Sequence, residues 1–122
     1  VIVCDDPERH LDHGRDDGGH CVALCQEAGP IGHTSTWRRG QAVRGATLPA
    51  GVLIATFSDA GRYENRTDGA SHCAILIGQS ESGLWVIDQW QGRTCSRRVI
   101  RFKGGAGQAV DDGDRYFTIE AA

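Results

Sequence analysis

A chain of 122 residues, 39% hydrophobic and 24% charged, has the make-up of an ordinary globular protein with one core. The net charge of −3 argues against a nucleic-acid binder, which carries a basic surplus or stripe. No apolar run approaches the about 18 residues that a membrane span needs, so no membrane partner is expected.

The sequence contains no methionine, so Val1 reads as a processed start, and an excised secretion signal is compatible with it. Five cysteines are many for a cytosolic protein of this size. They suit two disulfides and one unpaired thiol in an oxidising, extracytoplasmic compartment. Asn65-Arg66-Thr67 fits the acceptor pattern for N-glycosylation and points the same way.

Residues 1–17 read as an irregular, solvated N-terminal arm. Its Cys4, His10, Asp12 and His13 match no standard metal spacing, so no metal site is assigned. Gly18-Gly19 then loosens the backbone before a short, apolar helical pattern over 20–28 that Gly29-Pro30 ends. Cys21 lies at the start of that helix, where unpaired N–H groups and the dipole favour a thiolate. Thr34-Ser35-Thr36 reads as the cap of a helical turn that Gly40 stops, with Trp37 anchored in the core. A β-rich run follows at 52–57, then a polar loop at 58–70. Strands are expected near 71–78, 84–90, 94–103 and 115–120. Helix first and a mostly antiparallel sheet after it make an α+β arrangement.

The hairpin of 72–78 and 84–90 carries the chemistry. A turn centred on residue 81 pairs positions whose numbers sum to about 162. His72 then faces Trp90, and Asp88 lies one diagonal step away on the same sheet face. Ala74, Leu76, Leu84 and Val86 share that face, where the helix can pack. Cys73, Ile75, Ile77, Trp85 and Ile87 take the other face. An ionised Asp88 in a buried strand needs a partner, and His72 is the nearest one. A cysteine, a histidine and an aspartate are the parts of a nucleophile, a proton carrier and its orienting acid. The parity joins His72 to Asp88, whereas contact with Cys21 depends on where the helix packs. Gln89 and Trp90 are candidate groove residues, and Tyr63 is a candidate substrate contact from the polar loop.

Several blocks in order resemble the BPSL0067 family, within the NlpC/P60 and CHAP papain-like group of amidases. They are Gly19-His20-Cys21-Val22-Ala23-Leu24, the run from Thr34 to Gly40, Ala55-Thr56-Phe57, Ser71-His72-Cys73-Ala74-Ile75 and Val86-Ile87-Asp88-Gln89-Trp90. The similarity runs from about residue 15 to 120. It implies one papain-like NlpC/P60 catalytic domain over 1–122, with the cysteine helix packed on the sheet. It also implies cleavage of amide bonds in bacterial peptidoglycan without a cofactor. The resemblance places the nucleophile on Cys21, the base on His72 and the orienting acid on Asp88. His20 stands where these enzymes commonly carry a glutamine that helps bind the oxyanion, and it is taken as a substrate contact. Some relatives are toxins delivered into rival bacteria, which implies an immunity or inhibitor protein as a further partner. The chain is read as a monomer.

Two other readings stay open on the sequence. If Cys21 is bridged in a disulfide, the scaffold suits a secreted muramidase that cuts glycan with acids. Asp88 would then pair with Asp59, Glu64 or Asp68. Alternatively, the domain binds the wall without catalysis, as a toxin-like module.

Overall fold

The computed structural model describes residues 1–11, 21–29, 31–65, 69–90 and 93–121. Its centre is a six-stranded sheet: β1 (Trp37–Ala42), β2 (Leu53–Thr56), β3 (Cys73–Gln79), β4 (Gly83–Trp90), β5 (Arg93–Arg101) and β6 (Tyr116–Ala121). The spatial order is β1-β6-β2-β3-β4-β5 and every paired neighbour is antiparallel. One α-helix, α1 (Cys21–Ala28), is found among the described residues. The α+β class with an antiparallel sheet is therefore as expected.

The central hairpin forms because β3 and β4 supply apolar residues to both faces. Leu53, Ala55, Cys73, Ile75, Ile87 and Ile119 line one core with Leu24, Cys25 and Ala28 of α1. Ile54, Ala74, Leu76, Leu84, Val86, Ile100 and Tyr116 line a second. Ile75 opposes Ile87 and Leu76 opposes Val86, the register set by a turn at residue 81. A bulge past Leu76 then places Gly78 opposite Trp85.

Three expectations need correcting. First, α1 packs on the Cys73–Ile75–Ile87 face, not on the Ala74–Leu76 face. Both faces are apolar, so hydrophobicity alone does not select between them. Second, the helical turn at Thr34 is a single 3₁₀ turn ending at Thr36, and Trp37–Ala42 is strand β1. His33, not a hydroxyl side chain, caps that turn by accepting the Ser35 N–H. Gly40 does not stop a helix; a Cβ there would collide with Thr118 on the neighbouring β6. Trp37 is buried in the core as expected, its indole N–H donating to the Ile31 carbonyl at 3.1 Å.

Third, the described part of the N-terminal arm is anchored to the core at two buried residues, while its other side chains stay exposed or half-buried. Val3 bridges Val52, the Cys4 N–H donates to the Gly51 carbonyl at 2.7 Å, and Cys4 and His10 are buried. Pro7–His10 forms a 3₁₀ turn. Gly51 has φ +102° and lies so close to Cys4 that a Cβ would strike its carbonyl oxygen. Asp12, His13 and the rest of the arm lie outside the described residues.

Candidate active site

Four elements converge on one point. His72 is the residue just before β3, and its backbone is tied to the end of β2. The His72 N–H donates to Thr56 Oγ1 at 3.0 Å, and the His72 carbonyl accepts the Thr56 N–H at 3.0 Å. Asp88 is on β4, fully buried. Its Oδ2 lies 2.7 Å from His72 Nε2. The two side chains share one sheet face, as the equal parity of 72 and 88 requires. With Nε2 engaged by the carboxylate, Nδ1 is the ring nitrogen left for a second partner.

That partner is Cys21, at the first turn of α1. Because α1 covers the opposite face, Cys21 meets His72 at the end of β3 rather than over its surface. Cys73, the first residue of the strand and the chain neighbour of His72, acts on the Cys21 sulfur as well. The Cys73 hydrogen bond pulls the Cys21 thiol down most strongly. Burial opposes it, and the His72 hydrogen bond and charge add to it, taking the pKa from 9.0 to about 3. For His72, burial disfavours the charged ring, but the Asp88 and Cys21 hydrogen bonds outweigh it and raise the pKa to about 9. Between these limits the pair is a thiolate beside an imidazolium.

Burial raises the Asp88 pKa, but hydrogen bonds and charge from His72, then from Arg98, hold the carboxyl below its usual range. Arg98 Nε donates to Oδ2 at 2.7 Å and Arg93 donates to Oδ1 at 2.8 Å. Sequence reasoning missed both arginines. A signal for Arg98 existed: β5 sets Ser96 opposite Asp88, which puts Arg98 two residues on and on the same face. A buried carboxylate requires such partners.

The remaining predicted residues divide. Tyr63 is buried, its ring 4.7 Å from that of Trp37 and its hydroxyl 3.6 Å from the Cys21 sulfur. Burial and the surrounding thiols keep its phenol protonated, so it can donate. Trp90 is exposed at the edge of β4, its ring centroid 6.2 Å from that of His72. Gln89 is fully buried and offers no surface to a groove. His20 lies outside the described residues.

None of the five cysteines is in a disulfide, so the expected two bridges are absent. Cys4, Cys25, Cys73 and Cys95 are instead buried as small apolar side chains in the helix-side core. An unbridged Cys21 removes the premise of the muramidase reading, and Asp88 is committed to three cationic partners. Asp59 and Glu64 are exposed on the loop, and Asp68 lies outside the described residues.

A pH dependence follows from this pair. Hydrolysis that needs the thiolate and the imidazolium together rises as Cys21 ionises near pH 3. It falls as His72 loses its proton near pH 9. The expected kcat/KM profile is a broad plateau through neutrality. A profile that climbs continuously through pH 8 to 9, as for an ordinary thiol, would contradict it.

Comparison with known proteins places this arrangement. Residues 1–119 match the family profile described as domesticated amidase effector 2. A type VI secretion amidase effector 2 protein of Salmonella typhi is 35% identical over 118 residues, spanning 84% of this chain and 87% of its own. The domesticated amidase effector 2 of Ixodes scapularis is 38% identical over 109 residues, spanning 85% of this chain and 72% of its own. A solved structure of type 6 secretion amidase effector 2 superposes with a TM-score of 0.85 at 30% identity, covering 98% of this chain and 94% of that one. A six-stranded sheet with one cysteine-bearing helix is thus an amidase-effector fold, and the chain belongs to the domesticated amidase effector 2 family.

Proposed function

We propose that this amidase hydrolyses amide bonds in the peptides of bacterial peptidoglycan, with Cys21 as nucleophile, in the manner of the papain-like NlpC/P60 and CHAP enzymes. The observation that carries the reading is the convergence of Cys21, His72 and Asp88 at the end of β3, with His72 Nε2 and Asp88 Oδ2 2.7 Å apart.

The Cys21 thiolate attacks the amide carbon. Charge builds on the carbonyl oxygen, within reach of the Cys21 backbone N–H and the Tyr63 hydroxyl as donors. His72 gives its proton to the leaving amine, which departs and leaves a thioester on Cys21. Water, deprotonated by the now neutral imidazole, cleaves the thioester and restores the ion pair. Asp88 holds the ring so that Nδ1 faces the sulfur and stabilises it when charged. Arg93 and Arg98 fix the carboxylate in turn.

The substrate locates the activity outside the cytoplasm of the target cell, in its wall. As a toxin the protein would require an inhibitory partner in any cell that makes it beside its own wall. Digestion of purified peptidoglycan tests the reading. New amine and carboxyl ends are expected, with no new reducing sugars. Reducing sugars would restore the muramidase reading. Wall binding without any new ends would favour a non-catalytic module.

A further inference from the structure

We propose that Arg98 and Arg93, laid beneath the exposed Trp90, form a carboxylate-binding shelf beside His72. The shelf would select amides flanked by a free carboxylate in the substrate peptide. The inference rests on the proposed peptide-amide substrate and narrows it.

Charge around Asp88 is out of balance. Asp88 is a single carboxylate, yet it receives His72, Arg93 and Arg98. Among the described residues, even with the Cys21 thiolate included, the cluster holds three cations against two anions. One positive charge is left over beside the reacting atoms. A guanidinium so placed is a receptor for an anion.

Hydrogen-bond donors are also left over. Arg98 spends only Nε on Asp88, and its two terminal nitrogens make no hydrogen bond to another described residue. Arg93 is more occupied: one terminal nitrogen serves Asp88, and the other reaches the Arg97 carbonyl at 3.4 Å. Arg98 is therefore the principal receptor and Arg93 a supporting charge. Positioning a buried Asp88 would be satisfied by one arginine with both nitrogens engaged. A second that contributes a single nitrogen has donors to spare.

The two guanidinium groups also lie beside the reacting histidine. The Trp90 ring covers both guanidinium carbons, at 4.4 Å for Arg93 and 5.0 Å for Arg98. Stacking on an aromatic face fixes the plane of the fork before ligand arrives. The arginine side chains keep 23% and 20% of their surface, and Trp90 keeps 41%. The ring also stands edge-on to His72 at 6.2 Å, so the shelf begins one residue's width from the imidazole. A substrate whose scissile amide lies at Cys21 would bring the next residue's carboxyl group over it. A planar carboxylate matches the fork, whereas a carboxamide brings no charge.

The experiment uses the intact chain and two forms of one wall peptide. One form has free carboxyl groups beside the scissile bond, and the other has them converted to carboxamides. Wild-type protein is expected to prefer the free acid by about tenfold or more in kcat/KM, chiefly through KM. Arg98→Gln is expected to bring the ratio close to one. Arg98→Lys keeps the charge without the fork and is expected to retain part of it. Equal rates of wild-type protein on the two peptides would overturn the proposal without reference to any variant. So would an Arg98→Gln protein slowed equally on both, since that describes support of Asp88 alone. No cleavage of either peptide would instead refute the proposed substrate class.

Discussion

Cys21→Ala is expected to lower amide hydrolysis by about 10⁴-fold or more while leaving the fold intact. The size follows from the proposed role as nucleophile: without the sulfur no thioester forms, and the oxyanion donors alone supply only the residual rate. Cys21→Ser should fall nearly as far. A serine hydroxyl does not ionise beside His72 at neutral pH, so the thiolate–imidazolium pair that replaces a general-base step is lost. Cys21 is half-buried at the helix start, so the stability change should stay within about 1 kcal/mol. Equal thermal melts with lost activity would separate chemistry from folding. Retained activity would move the nucleophile elsewhere.

Asp88→Asn is the second large effect, and it acts on two properties together. The carboxylate is fully buried and holds three cationic side chains. Removing its charge leaves those cations without their shared anion, at a cost of about 3 kcal/mol or more. Catalysis should fall by about 10² to 10⁴-fold, because the imidazole loses both its orientation and the charge that stabilises its protonated form. The direction of the pH effect is also fixed. Burial lowers the His72 pKa and the Asp88 hydrogen bond raises it, so without Asp88 the balance tips towards neutral imidazole. The alkaline limb of activity therefore moves below about pH 9. An unchanged limb would show that Asp88 is structural only.

The sequence carried the His72–Asp88 pairing because a strand has a period of two and the turn at residue 81 set the register. Two numbers of equal parity, 72 and 88, were enough to put both side chains on one face. The bulge beyond Leu76 lies past the site and leaves that pairing intact. The face that α1 covers was not legible, for the same reason that the hairpin is central. With Ile75 and Ile87 on one face and Leu76 and Val86 on the other, each face is apolar enough to receive a helix. The approach of Cys21 therefore stayed open in the sequence; it comes past Cys73, at the strand's end.

The disulfide expectation failed on a related point. A count of cysteines speaks to compartment and pairing, but a buried thiol is also a small apolar side chain. Cys4, Cys25, Cys73 and Cys95 act as such here, and Cys73 additionally supports the Cys21 sulfur. Arg93 and Arg98 were hidden by their own chemistry. On β5 they stand among Thr94, Ser96, Arg97 and Arg101, polar company that reads as a solvated strand face. Only the burial of Asp88 on the neighbouring strand marks these two as part of the site.

The central claim is that Cys21 is a thiolate paired with a charged His72 at neutral and mildly acidic pH. Alkylation of the native protein by iodoacetamide between pH 4 and 9, with the modified residue located by mass spectrometry, tests it most directly. The account predicts selective labelling of Cys21 already at the acidic end, with activity lost in step with the label. Labelling of Cys21 only as pH rises towards 9, or full activity after Cys21 is labelled, would contradict it.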